Sequence, residues 1–162
     1  MLRGIQVLDL SRVLAGPWAT QMLADFGATV IKVERAGSGD DTRQWGPPYT
    51  AQGLASYFTC ANRGKQSVCV DFNNPEQLQA IYELALKADV IVENFKVGQL
   101  KAFGLDAVAL RAKKPELIYC SITGYGQNGP RAKEAGYDFA LQGLTGLMSI
   151  TGPKDGPPFK VG

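Results

Sequence analysis

The chain has 162 residues, 45% of them hydrophobic and 20% charged, enough to bury the core of one globular unit. Its 17 Lys and Arg against 15 Asp and Glu leave a formal net charge of +2, which argues against an extended nucleic-acid surface, and no run of about eighteen apolar residues marks a membrane span. With no histidine, Ser-His and Cys-His nucleophile pairs are impossible within these residues and no metal site is expected, so acid-base or nucleophilic work falls to carboxylates, Tyr, Lys or Cys.

The opening MLRGIQVLDL has one basic residue and an apolar stretch broken by Asp9, unlike a secretory signal, and a soluble cytoplasmic protein is expected. Within it, IQVLDL (5–10) reads as a buried strand. The loop SRVLAGPW follows, then the helical pattern PWATQMLADFG with Pro17 in its first turn. In an open α/β sheet a loop at the carboxyl end of a strand is where ligands bind. Its single glycine falls short of a dinucleotide fingerprint, which needs several for close approach to a pyrophosphate. Ala15 and Gly16 leave room for a flat base; a tight turn ahead of Pro17 accounts for the same residues equally well.

The second strand is TVIKVE (29–34), and Arg35 follows it directly, within reach of a ligand held over the first loop. A long loop at 35–53, rich in Gly, Asp and Pro, comes next. Arg63 and Lys65 in NRGKQS form a second basic cluster. These two basic points fit a phosphorylated nucleotide or ordinary solvated cations. The third strand, SVCVD (67–71), leads to PEQLQAIYELALKA, where Leu78, Ile81, Tyr82, Leu84 and Ala85 recur at three-to-four spacing and Glu76, Gln77 and Gln79 fall outside it. Strand DVIVEN (89–94), helix LDAVALRAKK and strand LIYCSI (117–122) continue the alternation. A second long loop (123–136) precedes DFALQGLTGLM, which opens at Asp138. Alternating strands and helices predict an α/β, Rossmann-like parallel sheet with crossover helices. Cys60, Cys69 and Cys120 lack CxxC spacing, two of them lie within strands, and buried free thiols are expected. The final MSITGPKDGPPFKVG completes no sheet, with Asp155 as a turn former, so a segment of a longer protein is expected.

Several stretches resemble the N-terminal part of the family III CoA transferases, the CaiB/BaiF family. They are VLDLSRVLAGPWATQMLADFGATVIKVER, NRGKQSVCVDF, ADVIVENF with Gly104 and Leu105 beyond it, and PELIYCSITGYGQNGP ahead of AGYD. GDDTRQWGPP and GYDFALQGLTGLMSITGP are most similar to the succinyl-CoA:glutarate type. The resemblance implies that residues 1–162 form the N-terminal Rossmann-like segment of the large domain, the rest of that domain and a small domain lying outside them. It implies that Val13, Leu14 and Ala15 contact adenine, that Arg35 lies near the CoA phosphates, and that Asn94, Phe95 and Phe103 line the pantetheine path. Tyr137 and Asp138 are implied as active-site walls near the reacting acyl group, with Asp138 expected to be the N-cap of its helix. Ala102 and Gln66 depart from the family pattern, which often has basic residues there.

The implied reaction moves CoA from an acyl-CoA to a free carboxylic acid, a dicarboxylate by the closer resemblance. It runs through an aspartyl mixed anhydride and an aspartyl-CoA thioester and uses no metal. The nucleophilic aspartate is expected beyond Gly162, so residues 1–162 alone are expected to be inactive. The implied partners are acyl-CoA and acid substrates and a second copy in an intertwined homodimer, with neither nucleic acid nor membrane. Two alternatives stay open. One is an acyl-CoA racemase, whose branch of the family has histidine where Tyr137 stands; a phenol, ordinarily titrating near ~10, is a poor base at neutral pH. The other is a CoA- or nucleotide-binding module without chemistry.

Overall fold

Five short segments rich in β-branched residues pair side by side in the computed structural model, which describes all of residues 1–162. They are β1 (Gln6–Asp9), β2 (Thr29–Arg35), β3 (Gln66–Val70), β4 (Val90–Glu93) and β5 (Ile118–Ser121), in the all-parallel order β3-β2-β1-β4-β5. The register sets Val7 beside both Val30 and Val90. Between the strands run α1 (Ala15–Asp25), α2 (Ser56–Cys60), α3 (Pro75–Lys87) and α4 (Ala107–Lys113), the crossovers that parallel strands require. The sheet and its helices belong to one compact unit, Met1–Ile122; Thr123–Gly162 forms another.

Side chains of a strand alternate between its two faces, so each strand feeds two cores. Val7, Val30 and Val92 pack with Leu23 and Ala24 of α1, while Leu8, Leu10, Val33, Val70 and Ile91 pack with Ile81 and Ala85 of α3 and Leu110 of α4. Each fully buried large apolar side chain contributes roughly 1.5–3 kcal/mol relative to exposure. Asn74 caps α3, its side-chain oxygen accepting from the N–H groups of Glu76 and Gln77 at 3.0 and 3.2 Å, with Pro75 at the first helical position. Asp106 caps α4 in the same way.

All five expected strands form, within a residue or two of their expected ends. The first helix starts at Ala15 rather than Pro17, with no side chain capping it. Helix α2 and the 3-10 helices Asp41–Gln44 and Gln99–Phe103 have no counterpart in the sequence reading, being too short to display a period. The cysteines require a correction: all three thiols are exposed. Val68, Val70 and Tyr119 face the larger core, so the alternating Cys69 and Cys120 face the α1 side. There α1 covers β1, β2 and β4, and the edge strands keep open surface, Ile118 being 62% exposed.

In the second unit the backbones of Gly124 and Gly136 touch, and a Cβ on either would strike the other's Cα. Helix α5 (Asp138–Leu144) and the 3-10 helix Leu147–Ile150 follow. Buried Gln142 ties α5 to the C-terminal tail: its Nε2 donates to Val161 O (2.9 Å) and its Oε1 accepts from Val161 N–H (2.8 Å). No helix is long and apolar enough to cross a membrane.

Candidate functional site

Chain connections leave β1 toward β2 and β3 on one side and reach β4 and β5 on the other, so the winding reverses between β1 and β4. Open parallel sheets bind ligands in the crevice outside the strand carboxyl ends at such a reversal. Here the loops after β1 and β4 are joined: the Asn94 amide accepts from Arg12 N–H at 2.9 Å and donates to Arg12 O at 2.8 Å.

Beneath that clamp lies a buried ionic layer on the α1 side of the sheet. The Asp9 carboxylate, fully buried, accepts from Ser11 N–H (3.0 Å), the Ser11 hydroxyl, the Thr20 hydroxyl (2.6 Å) and Lys65 Nζ (2.9 Å). Lys65, its side chain 2% exposed, spends its other donors on Pro17 O (2.8 Å) and Asn62 Oδ1 (2.9 Å). Burial pulls the Lys65 ammonium below its ordinary value of 10.5, with Asp9 opposing. Gly16 is required here by proximity, because a Cβ would collide with the Ser11 side chain. Lys32 pairs with Asp40 at 2.9 Å, both buried. Glu34 takes Arg43 bidentately at 2.6 and 2.7 Å and accepts from the Ser67 hydroxyl (2.5 Å) and Asp40 N–H (2.8 Å). Burial would raise the Glu34 carboxyl, but Arg43, Ser67 and the Asp40 N–H outweigh it and bring it down to about 2. Asp40 likewise ends below the ordinary carboxylate range, its burial offset chiefly by the Lys32 charge and the Thr42 N–H.

On the opposite side of the strand ends a cleft of about 430 Å³ opens. Its walls include Arg12, Arg35, Asp71, Phe72, Phe95 and Phe103. The phenyl rings form an apolar wall: Phe72 meets Phe103 edge-on at 5.1 Å and lies nearly parallel to Phe95 at 6.4 Å. Arg12 is engaged, its guanidinium 3.7 Å from Asp41 and 5.8 Å from the Phe95 ring centre. Arg35 is exposed and makes no side-chain hydrogen bond or ion pair, leaving one free guanidinium beside an aromatic wall. Such a cleft suits a ligand with an apolar or flat body and an anionic group.

Of the expected carrier-contacting residues, Arg35, Phe95 and Phe103 come together in this cleft, whereas Val13, Leu14 and Ala15 do not line it. Asn94 spends its amide on the Arg12 backbone. Phe72 and Arg12 escaped the sequence reading, although both lie just past strand ends, where cleft-forming residues sit. The second basic cluster is corrected. Arg63 pairs with Asp25 (3.0 and 2.6 Å) and Lys65 is sealed against Asp9, so neither offers a free charge. In the second unit Tyr137 is 74% exposed and occupies the N-cap position of α5. Asp138 is therefore not the cap, which corrects the expectation for it. It already sits in the first helical turn, where its carboxylate accepts from Gln142 Nε2 (2.9 Å) and complements the helix dipole.

A model of the CoA-transferase family III matches residues 2–162. Over 99% of this chain, the sequence is 55% identical to the succinate–glutarate CoA-transferase of Agrobacterium fabrum and 50% identical to the succinyl-CoA:glutarate CoA-transferase of Homo sapiens. It is 45% identical to the succinyl-CoA:mesaconate CoA-transferase of Haloarcula hispanica, again over 99% of the chain. These alignments occupy 42%, 36% and 42% of the relatives, so the chain spans about two fifths of their length. The crystal structure of a CAIB/BAIF family protein from Brucella suis superposes with a TM-score of 0.94 at 51% identity, covering 99% of this chain and 43% of that one.

Proposed function

Because the chain belongs to the CoA-transferase family III, we propose that the whole protein moves CoA between an acyl-CoA and a free dicarboxylic acid, the substrate class named for its relatives. The cleft at the carboxyl ends of β1 to β3 receives the adenosine-phosphate end of CoA. The observation that carries this reading is the unpartnered Arg35 guanidinium beside the wall of Phe72, Phe95 and Phe103. Arg35 meets phosphate, the phenyl rings lie along the apolar part of the carrier, and the loop Val13–Ala15 borders the base.

In the proposed chemistry an aspartate carboxylate beyond Gly162 attacks the thioester carbonyl. The C–S bond breaks, leaving a mixed anhydride and the CoA thiolate. The thiolate attacks the enzyme-side carbonyl of that anhydride, releasing the donor acid as a carboxylate and forming an aspartyl-CoA thioester. The acceptor carboxylate then attacks this thioester, and the liberated thiolate takes the acceptor's acyl group, which regenerates the aspartate. No step needs histidine. Tyr137 and Asp138 serve as walls around the reacting acyl group, and a second copy completes an intertwined dimer.

Calorimetric titration of the full-length protein with CoA and with NAD tests the binding reading. CoA should bind preferentially, and Arg35→Ala should weaken it about tenfold or more, the scale of one charge-assisted phosphate contact. Preference for NAD, or unchanged CoA affinity in Arg35→Ala, would sink it. The full-length protein should form glutaryl-CoA from succinyl-CoA and glutarate while residues 1–162 alone give no turnover; activity in the short chain would place the nucleophile within it.

A further inference from the structure

Three neighbours fix the backbone of the loop between β1 and α1. Ser11 O accepts from Lys32 Nζ at 2.9 Å, the Asn94 amide takes both Arg12 N–H and Arg12 O, and Val13 N–H donates to the Asp40 carboxylate oxygens at 3.2 and 3.4 Å. Val13 holds φ at +69°, in the left-handed region. A β-branched residue avoids that region because its Cβ substituents crowd the backbone, and it stays there only where the surroundings over-determine it. Asp40 is well placed to impose it. The carboxylate is buried, 2.9 Å from Lys32 Nζ, and accepts from Thr42 N–H (3.0 Å) and the Thr42 hydroxyl (2.7 Å). Its position is therefore set independently of Val13. Arg12, the residue preceding Val13, stands on the cleft wall, whereas Asp40 does not line the cleft.

From this geometry we infer that Asp40, backed by Lys32, is a positioning residue. It latches Val13 in the left-handed conformation and so presents the first loop, with Arg12 on the cleft wall, in the form that receives the carrier. The inference rests on the reading of the cleft as a CoA site. The latch acts before the ligand arrives: the conformational cost of shaping the loop is met by a buried ion pair on the far side of the sheet, so CoA does not have to supply it on binding.

The test is a cycle in the full-length protein: CoA titration, thermal unfolding and steady-state kinetics for wild type, Asp40→Ala, Val13→Gly and the double variant. Glycine adopts positive φ at no steric cost, so the loop of the Val13→Gly variant does not depend on the latch. Asp40→Ala should raise the CoA Kd and the KM for acyl-CoA about tenfold, the scale set by one strained backbone conformation, with kcat changed less than about twofold. Val13→Gly alters the loop that borders the base and so sets its own reference affinity; on that background it should rescue the Asp40→Ala loss, the added Asp40→Ala raising the CoA Kd less than about twofold where it raises it about tenfold with Val13 present. A purely structural role would lower the melting temperature without this split between KM and kcat and without rescue. If Asp40→Ala does not fold because Lys32 is left buried and unpaired, Lys32→Met/Asp40→Ala removes both charges and takes its place in the cycle. Unchanged CoA affinity in the Asp40 variant, or failure of Val13→Gly to rescue it, overturns the latch. Absence of CoA binding by wild type overturns instead the reading on which the latch rests.

Discussion

Lys65 and Arg63 stand two positions apart with opposite consequences. The sequence presents them as one basic cluster, yet one seals a buried carboxylate and the other makes a surface pair with Asp25. Lys65→Met leaves Asp9 buried without its cation and should cost about 3–5 kcal/mol in urea unfolding of the full-length protein. Arg63→Ala removes an exposed, solvent-screened pair and should leave the urea midpoint nearly unchanged. Equal losses for the two would show that the Asp9 site admits water. Neither role could be read locally, because what distinguishes these cations is a contact 56 residues away for Lys65 and 38 for Arg63. Arg35 was legible for the converse reason: its position at the carboxyl end of a strand places it at the end of the sheet where ligands bind, with no need of a distant partner.

At the scale of elements, the strands were legible because their signal is local and repeated. Runs such as TVIKVE are apolar on one face throughout, and the polar residues on the other face, Lys32 and Glu34, resemble interruptions until the sheet buries them. Those interruptions hold the carboxyl end of β2 to the loop that follows it, through Lys32 with Asp40 and Glu34 with Arg43. The acid response should follow. Glu34 titrates at about 2 when folded against an ordinary 4.5, so the folded state binds fewer protons between those values. The stability Glu34 contributes is complete above pH 4.5 and is lost as pH falls toward about 2; Asp40 shifts in the same direction. Thermal unfolding of wild type and Glu34→Gln between these limits checks it, the difference between them shrinking toward acid pH. A difference that stayed constant across that window would show that the carboxylate's charge is not what Arg43 and Ser67 stabilise. The short helices went unread at this scale, since four or five residues cannot display a period of 3.6.

For the whole molecule, fold class and order of elements were accessible because parallel strands with intervening helices admit few arrangements. The site was accessible only in part. Phe95 and Phe103, singled out through the resemblance, line the cleft, but Phe72, which contacts both, was missed because its neighbours come from a loop more than twenty residues onward. The exposed apolar residues of Thr123–Gly162, among them Tyr137, Phe139, Leu144 and Ile150, have no sequence signature separating them from core residues.

The first of the five strands in chain order lies in the middle of the sheet. Emerging from the ribosome, β1 meets β2 soon after, yet the ammonium that neutralises Asp9 belongs to a residue synthesised 56 positions later, and β4 comes later still. Covering an ionised Asp9 without that ammonium would strand a charge in the interior, so the middle of this sheet is electrostatically complete only with a residue that lies beyond the second strand.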